Sequence, residues 1–224
     1  MTTSPSPGSG PVRTRIKICG VRDAETALIA AECGADSIGL VFVSSSPRCV
    51  TVDEAWEIQG VLPAFITSVG LFMNPKPDHY LKTMIEADLD LGQLHGKESE
   101  PLVREIGPDL IKAIRYSRET IEADLRKWSN IDELDAVLVD GGAGGTGEKA
   151  DWEHLATVID ACDHPVILAG GLTPENVGEA IRIVRPYAVD VSSGVESAPG
   201  VKDPAKIAAF CRAVREADHL ASQY

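Results

Sequence analysis

The sequence predicts an α/β protein folded as a single-domain (β/α)8 barrel, and three observations carry that reading. Its 224 residues are long for two ordinary domains and comfortable for one barrel, a fold that typically takes about 250 residues. Short apolar runs alternate with amphipathic stretches from one end of the chain to the other, with no hairpin signal between them. The runs start about 20 to 30 residues apart, the length of one β-loop-α-loop unit. Eight of them fill a closed barrel, whereas a doubly wound open sheet usually stops at about five to seven strands.

In chain order the strands are expected at 16–19, 37–41, 65–72, 89–94, 110–114, 136–139, 166–169 and 188–191. The stretches between them carry helical periods. Val177, Ala180, Ile181 and Val184 fall at i, i+3, i+4 and i+7, and Ile121, Leu125 and Trp128 at i, i+4 and i+7, so each stretch has one apolar stripe to bury. Thr51 and Glu54 form a capping-box pattern, and Thr173-Pro174 and Asp203-Pro204 place a Pro just after a capping side chain. Gly34, Gly60 and Gly107 stand where helices should stop. Residues 1–14, rich in Pro, Ser and Gly, read as a loose tail without the apolar core of a signal peptide. The barrel is expected over 15–218 and a short C-terminal tail over 219–224.

Composition narrows the function. Apolar residues make up 44% of the chain and charged residues 25%, enough for a sizeable core. The 21 Lys and Arg against 34 Asp and Glu leave a net charge of −13. Such a surface repels phosphate backbones and anionic lipid, so neither a nucleic-acid nor a membrane partner is expected. An anionic small molecule must then be held by local donors. No run approaches the roughly 18 apolar residues of a membrane span. The five cysteines, at 19, 33, 49, 162 and 211, show no C-x-x-C spacing, and their odd number points to a reducing, cytoplasmic compartment. No His, Cys or carboxylate set has ligand spacing, so no metal site is expected.

A barrel of this class carries its chemistry at the C-terminal ends of its strands, and the unusual residues fall there. Cys19-Gly20 ends the first strand, Ser46-Pro47-Arg48 follows the second, Asn74 the third, and Gln93 and His95-Gly96 end the fourth. Arg115 ends the fifth, Asp140 the sixth, Gly170-Gly171 the seventh and Ser192-Ser193-Gly194 the eighth. The last two ends allow close backbone approach and precede helical starts, so their N–H groups form a cradle for a phosphate. The plainer alternative is that these glycines only make tight turns. The run 141–147 (GGAGGTG) adds a flexible loop after the sixth strand. Taken singly, Cys19 is more readily an inert core thiol than a reactive one, Asp140 as readily a solvated carboxylate as a catalytic one, and Arg48 most readily a surface charge.

Eight segments together resemble one family. They are KICG at 17–20, GADSIGLVFVSSSPR at 34–48, VGLFMNP at 69–75, QLHG at 93–96, VLVD at 137–140, GGTG at 144–147, LAGGLTPENV at 168–177 and VDVSSGVE at 189–196. In this order and at these strand ends the chain is similar to phosphoribosylanthranilate isomerase over about 16–213. The resemblance implies a TIM barrel of tryptophan biosynthesis that needs no cofactor and acts as a monomer or homodimer on a small-molecule substrate. The reaction it implies is the Amadori rearrangement of N-(5-phosphoribosyl)anthranilate to 1-(2-carboxyphenylamino)-1-deoxyribulose 5-phosphate. By the same resemblance Cys19 is the general base, Asp140 the general acid, and Arg48 the partner of the anthranilate carboxylate. Asp190 faces the sugar hydroxyls, Gln93 and His95 belong to the substrate site, and Gly145, Gly170, Gly171, Ser193 and Gly194 bind the phosphate. The chain departs from the family pattern at Ala150, where a Phe is common, at Gly92 for a Val, at Cys49 for an aromatic residue, and in a shorter loop after Asp140.

Two alternatives remain. A sister phosphosugar barrel of the histidine pathway performs the same rearrangement but carries Asp at the first strand end, so Cys19 argues against it. A barrel that binds phosphorylated ligands without turning them over has no need of Cys19, Asp140 and Arg48 together. The chemistry does need them: an acid must protonate the furanose oxygen as the ring opens, and a base must take the proton from C2. An ordinary Asp near about 3.9 is ionised at neutrality and a free Cys near about 8.5 mostly protonated, so each must be shifted to serve. Burial could raise Asp140, and neighbouring Lys17 or local backbone dipoles could help the thiolate; the sequence decides neither.

Overall fold

The computed structural model describes residues 13–141 and 150–221. Strand and helix alternate as Arg15–Cys19 (β1), Ala24–Cys33 (α1), Ser37–Val41 (β2), Val52–Gln59 (α2), Thr67–Phe72 (β3), Pro77–Glu86 (α3), Leu91–Leu94 (β4) and Glu100–Ile106 (α4). They continue as Leu110–Arg115 (β5), Ile121–Ser129 (α5), Leu134–Asp140 (β6), Trp152–Val158 (α6), Val166–Ala169 (β7), Val177–Val184 (α7), Ala188–Val191 (β8) and Pro204–Ala221 (α8). The strands β1 to β8 pair in sequence order into a closed barrel, and β1 meets β8 in parallel with Lys17 opposite Asp190. This is the predicted (β/α)8 barrel. A hairpin of Glu196–Ala198 (β9) and Val201–Lys202 (β10) is added after β8.

Alternate residues of each strand face opposite sides of the barrel wall. Ile16, Ile18, Ile38, Leu40, Val137 and Val139 pack outward in the large core shared with the helices. Val69, Ile111, Ala113, Ala136, Leu138, Ile167, Ala169 and Ala188 form a second cluster inside the barrel. Burial on both faces is why these strands read as unbroken apolar runs. The same parity places Lys17, Cys19, Gln93, Asp140 and Asp190 on the inner face. On the helices, all four residues of the stripe on α7 and all three on α5 are buried.

Local chemistry explains most boundaries. The Thr51 capping box is present, Gly34 ends α1 with φ 92°, and Asp203 accepts from the backbone N–H groups of Ala205 and Lys206. Several limits differ from expectation. β3 begins at Thr67 because Phe65 has φ 74°, a left-handed conformation that no strand accommodates, and its side chain is fully exposed. β4 begins at Leu91 because the N–H of Leu89 bonds back to Met84 and closes the end of α3. α7 begins at Val177 rather than beside Pro174, because residues 174–176 form a tighter turn in which the Asn176 N–H closes onto the Thr173 carbonyl. Tyr80 of α3 packs against Gly92, where a Cβ would lie 2.0 Å from its hydroxyl, and so fills the space of the missing Val side chain.

Both tail boundaries also move. Thr14 is buried and gives its N–H and hydroxyl to the carboxylate of Asp218, at 2.9 and 2.7 Å, so it belongs to the barrel. α8 runs on through Ala221 because no Gly or Pro interrupts it before that point, so residues 219–221 are helix rather than tail.

Candidate active site

A cavity of about 540 Å³ opens at the C-terminal end of the barrel. Cys19 lines it from the end of β1 and is 4% exposed. Beside the thiol, Lys17 Nζ lies 2.8 Å from Asp190 Oδ1, with side chains only 3% and 9% exposed. Burial works against the Lys17 charge, but Asp190 outweighs it and holds the ammonium above its ordinary value. Burial pushes the Cys19 thiol up, and the nearby Lys17 charge only partly offsets this. Of the two aids left open by the sequence, Lys17 does pull the thiol down, but desolvation of the thiolate outweighs it.

Asp140 ends β6 and lines the same cavity, with Oδ2 3.1 Å from His95 Nε2. Gln93 is fully buried, and its Nε2 lies 2.9 Å from His95 Nδ1. The imidazole thus stands between an amide that donates to Nδ1 and the carboxylate, to which Nε2–H donates. His95 lines the cavity; Gln93, expected in the substrate site, does not and instead orients His95.

The ends of β7 and β8 close the other side. Gly170 and Gly171 have φ 85° and 67°, and both line the cavity with Ser193 and Gly194. Asn176 fixes the β7 loop, accepting from Thr173 N–H at 2.8 Å and donating to the Gly171 carbonyl at 2.9 Å. The two loops touch so closely that a Cβ on Gly194 would lie 1.9 Å from the Leu172 carbonyl oxygen. Backbone N–H groups, rather than lysines, are what this wall offers an anion. Gly145 lies outside the described residues.

Arg48 reaches the cavity from the loop after β2 and is already paired: Nε and Nη2 donate to Glu196 Oε1 and Oε2, both at 2.7 Å. Burial opposes ionisation of Glu196, but Arg48 and Lys202 hold its carboxyl below the usual range.

The sequence pattern of the N-(5'phosphoribosyl)anthranilate (PRA) isomerase family is matched by residues 16–213. The N-(5'-phosphoribosyl)anthranilate isomerase of Pseudomonas syringae pv. tomato is 48% identical over 202 residues, 89% of this chain and 97% of the relative. The crystal structure of phosphoribosyl anthranilate isomerase from Thermotoga maritima is similar with a TM-score of 0.81 at 39% identity, covering 91% of this chain and 99% of that one. A phosphoribosyl anthranilate isomerase solved in complex with reduced 1-(o-carboxyphenylamino)-1-deoxyribulose 5-phosphate gives a TM-score of 0.80 at 38% identity, covering 91% and 99%. The chain belongs to the PRA isomerase family.

It is accordingly a tryptophan-biosynthetic isomerase on a TIM barrel. Of the residues that the PRA isomerase resemblance singles out, Cys19, Arg48, His95, Asp140 and Asp190 line one cavity together with the two glycine-rich loops. Of the departures from the PRA isomerase pattern, Ala150 is buried against Gly141, and Cys49 lies between Arg48 and Val50 with its thiol on the Val50 carbonyl. Four residues escaped the sequence reading. Glu98 accepts from the N–H groups of Asn74 and Gly96 and from Lys112 Nζ at 2.7 Å, tying the loops after β3 and β4 to β5. Burial opposes the Glu98 charge, but Lys112 and these N–H groups lower its pKa. Glu196 and Lys202 support Arg48. The available signal was a Lys or Glu set among apolar residues, as in LIKAIR at 110–115, because a charge in a strand is almost never buried unpaired.

Proposed function

We propose that Cys19 and Asp140 divide the acid–base work of PRA isomerisation. Asp140 protonates the ring oxygen of the phosphoribosyl group as the furanose opens to a Schiff base. Cys19 then takes the proton from C2 as the enolamine forms, and the enolamine tautomerises to the ketone. Asp140 regains its proton from solvent at its exposed edge, with His95 Nε2–H holding the carboxylate in place, and Cys19 releases the C2 proton as the ketone forms. Arg48 pairs with the anthranilate carboxylate, Asp190 faces the sugar hydroxyls, and the N–H groups around Gly170, Gly171, Ser193 and Gly194 hold the phosphate, with Gly145 of the loop after β6 assigned to it by resemblance. The observation that carries this reading is that the thiol and the carboxylate, from strands three places apart around the barrel, open on one cavity.

All the described site residues come from one chain, so a monomer or a homodimer would carry the site. Five free cysteines and no described helix long and apolar enough to cross a membrane support a cytoplasmic enzyme. The test is turnover of PRA generated in situ by the wild type, Cys19→Ala and Asp140→Asn. Each variant should lose about 10²- to 10⁴-fold in kcat while still binding product, because each group acts in the transition state. Turnover within threefold of wild type in either variant would remove that residue from the mechanism.

A further inference from the structure

The pairing of Arg48 continues beyond Glu196. Lys202 Nζ lies 2.9 Å from Glu196 Oε1, and the same ammonium donates to the Ser192 carbonyl at 3.0 Å and reaches the Ser192 hydroxyl at 3.3 Å. An unbroken chain of contacts therefore runs from the Arg48 guanidinium to the residue that precedes Ser193-Gly194. The β9–β10 hairpin builds it, placing Lys202 opposite Glu196. The Glu196 and Lys202 side chains are 5% and 2% exposed. Their neighbours leave no slack: a Cβ on Gly20 would lie 2.5 Å from Arg48 Cδ, and one on Gly200 2.5 Å from the Pro47 carbonyl oxygen.

Two positive charges and one negative leave this triad with one positive charge in excess, on a protein whose net charge is −13. Glu196 takes the Nε/Nη2 edge of the guanidinium. Arginine has five N–H donors, so the Nη1/Nη2 edge is left for a second carboxylate. The rotamer freedom of Arg48 is given up on folding and not on binding.

We propose that Glu196 and Lys202 are positioning residues for PRA: Glu196 aims the remaining edge of Arg48 at the substrate carboxylate, and Lys202 ties that edge to the phosphate loop. The two anionic ends of the substrate are thereby received at a set separation. This rests on the reading of Arg48 as the carboxylate partner.

The experiment compares kcat/KM for PRA with that for the amine formed from aniline and ribose 5-phosphate, which keeps the phosphate and lacks the carboxylate. The ratio of the two, taken on one preparation, is insensitive to loss of folded protein. Arg48→Ala sets the ratio without the guanidinium, expected about 10- to 100-fold below wild type. Glu196→Gln should move the ratio most of the way to the Arg48→Ala value, chiefly through KM for PRA, and Glu196→Asp should restore part of it. Lys202→Met should lower the ratio less and weaken competitive inhibition by inorganic phosphate severalfold. A wild-type ratio in Glu196→Gln, with both substrates declining together, would make Glu196 a merely structural residue and overturn the proposal. Unchanged phosphate inhibition in Lys202→Met would overturn the link to the phosphate loop. If Arg48→Ala itself keeps the wild-type ratio, it is the Arg48 reading that fails, and the positioning role falls with it.

Discussion

The ends of β1 and β6 carry the two groups proposed for opposite roles, and they stand in opposite surroundings. Cys19 is 4% exposed beside an ion pair that is itself nearly sealed, whereas Asp140 and His95 are 29% and 30% exposed in their side chains. A thiol is neutral in its resting form and tolerates a dry site; a carboxylate that must exchange its proton every cycle needs an edge on water. The comparison teaches that the barrel invests stability beside the proposed base and leaves the proposed acid on a partly exposed contact.

The sharpest way to break that contrast is to remove one charge at the dry end. Lys17→Met leaves Asp190 buried without its cation and should cost about 3–5 kcal/mol of folding stability, read from the urea midpoint. The sign in pH follows from the raised Lys17 value: the stabilisation is full at neutrality and lost as pH rises through it. A loss under about 1 kcal/mol would show the pair to be solvated after all.

At the open end the balance should reverse. His95→Asn removes a partly exposed contact worth about 1 kcal/mol or less to stability, yet kcat should fall about tenfold or more as the Asp140 carboxyl loses the imidazole that holds it in place. Equal losses at both ends, in both measurements, would erase the distinction.

The acid–base balance at Cys19 can be read directly. Its thiol is raised by burial, so its rate of alkylation by iodoacetamide, followed on the Cys19 peptide, should climb about tenfold per pH unit through pH 8. The midpoint should lie above the roughly 8.5 of an ordinary cysteine, and the acid-side limb of kcat/KM should track it. A midpoint below that value would mean that Lys17 outweighs desolvation. The smallest expected effect is that of metal removal. With no group of three His, Cys, Asp or Glu side chains arranged to hold a metal among the described residues, prolonged chelation should leave turnover unchanged, and loss restored by one divalent ion would refute this.

Much of the barrel was legible because burial on both faces of each strand writes an apolar run into the chain, and each helix writes a single stripe. The boundaries that moved did so for reasons local sequence does not display: the left-handed backbone at Phe65, and the carbonyl of Thr173 turned onto the start of α7. Of the site, residues at strand ends were legible because β-strand periodicity and barrel closure fix where those ends lie. Gln93 stands behind His95 rather than on the cavity wall, a difference the sequence does not display, since a polar residue one position from the strand end looks the same whether it faces a substrate or a neighbouring imidazole.

The sequence by itself determined the barrel and the residues at its strand ends, since both follow from alternating apolar runs and amphipathic stretches, while the roles of those residues came from family resemblance. Tertiary structure alone decided who is paired with whom. Lys17 meets Asp190 across 173 residues and Arg48 meets Glu196 across 148. Closure of the sheet and the β9–β10 hairpin bring these charges together where water is excluded, and there desolvation raises a thiol against the pull of a neighbouring cation and a buried carboxylate holds a guanidinium in one orientation.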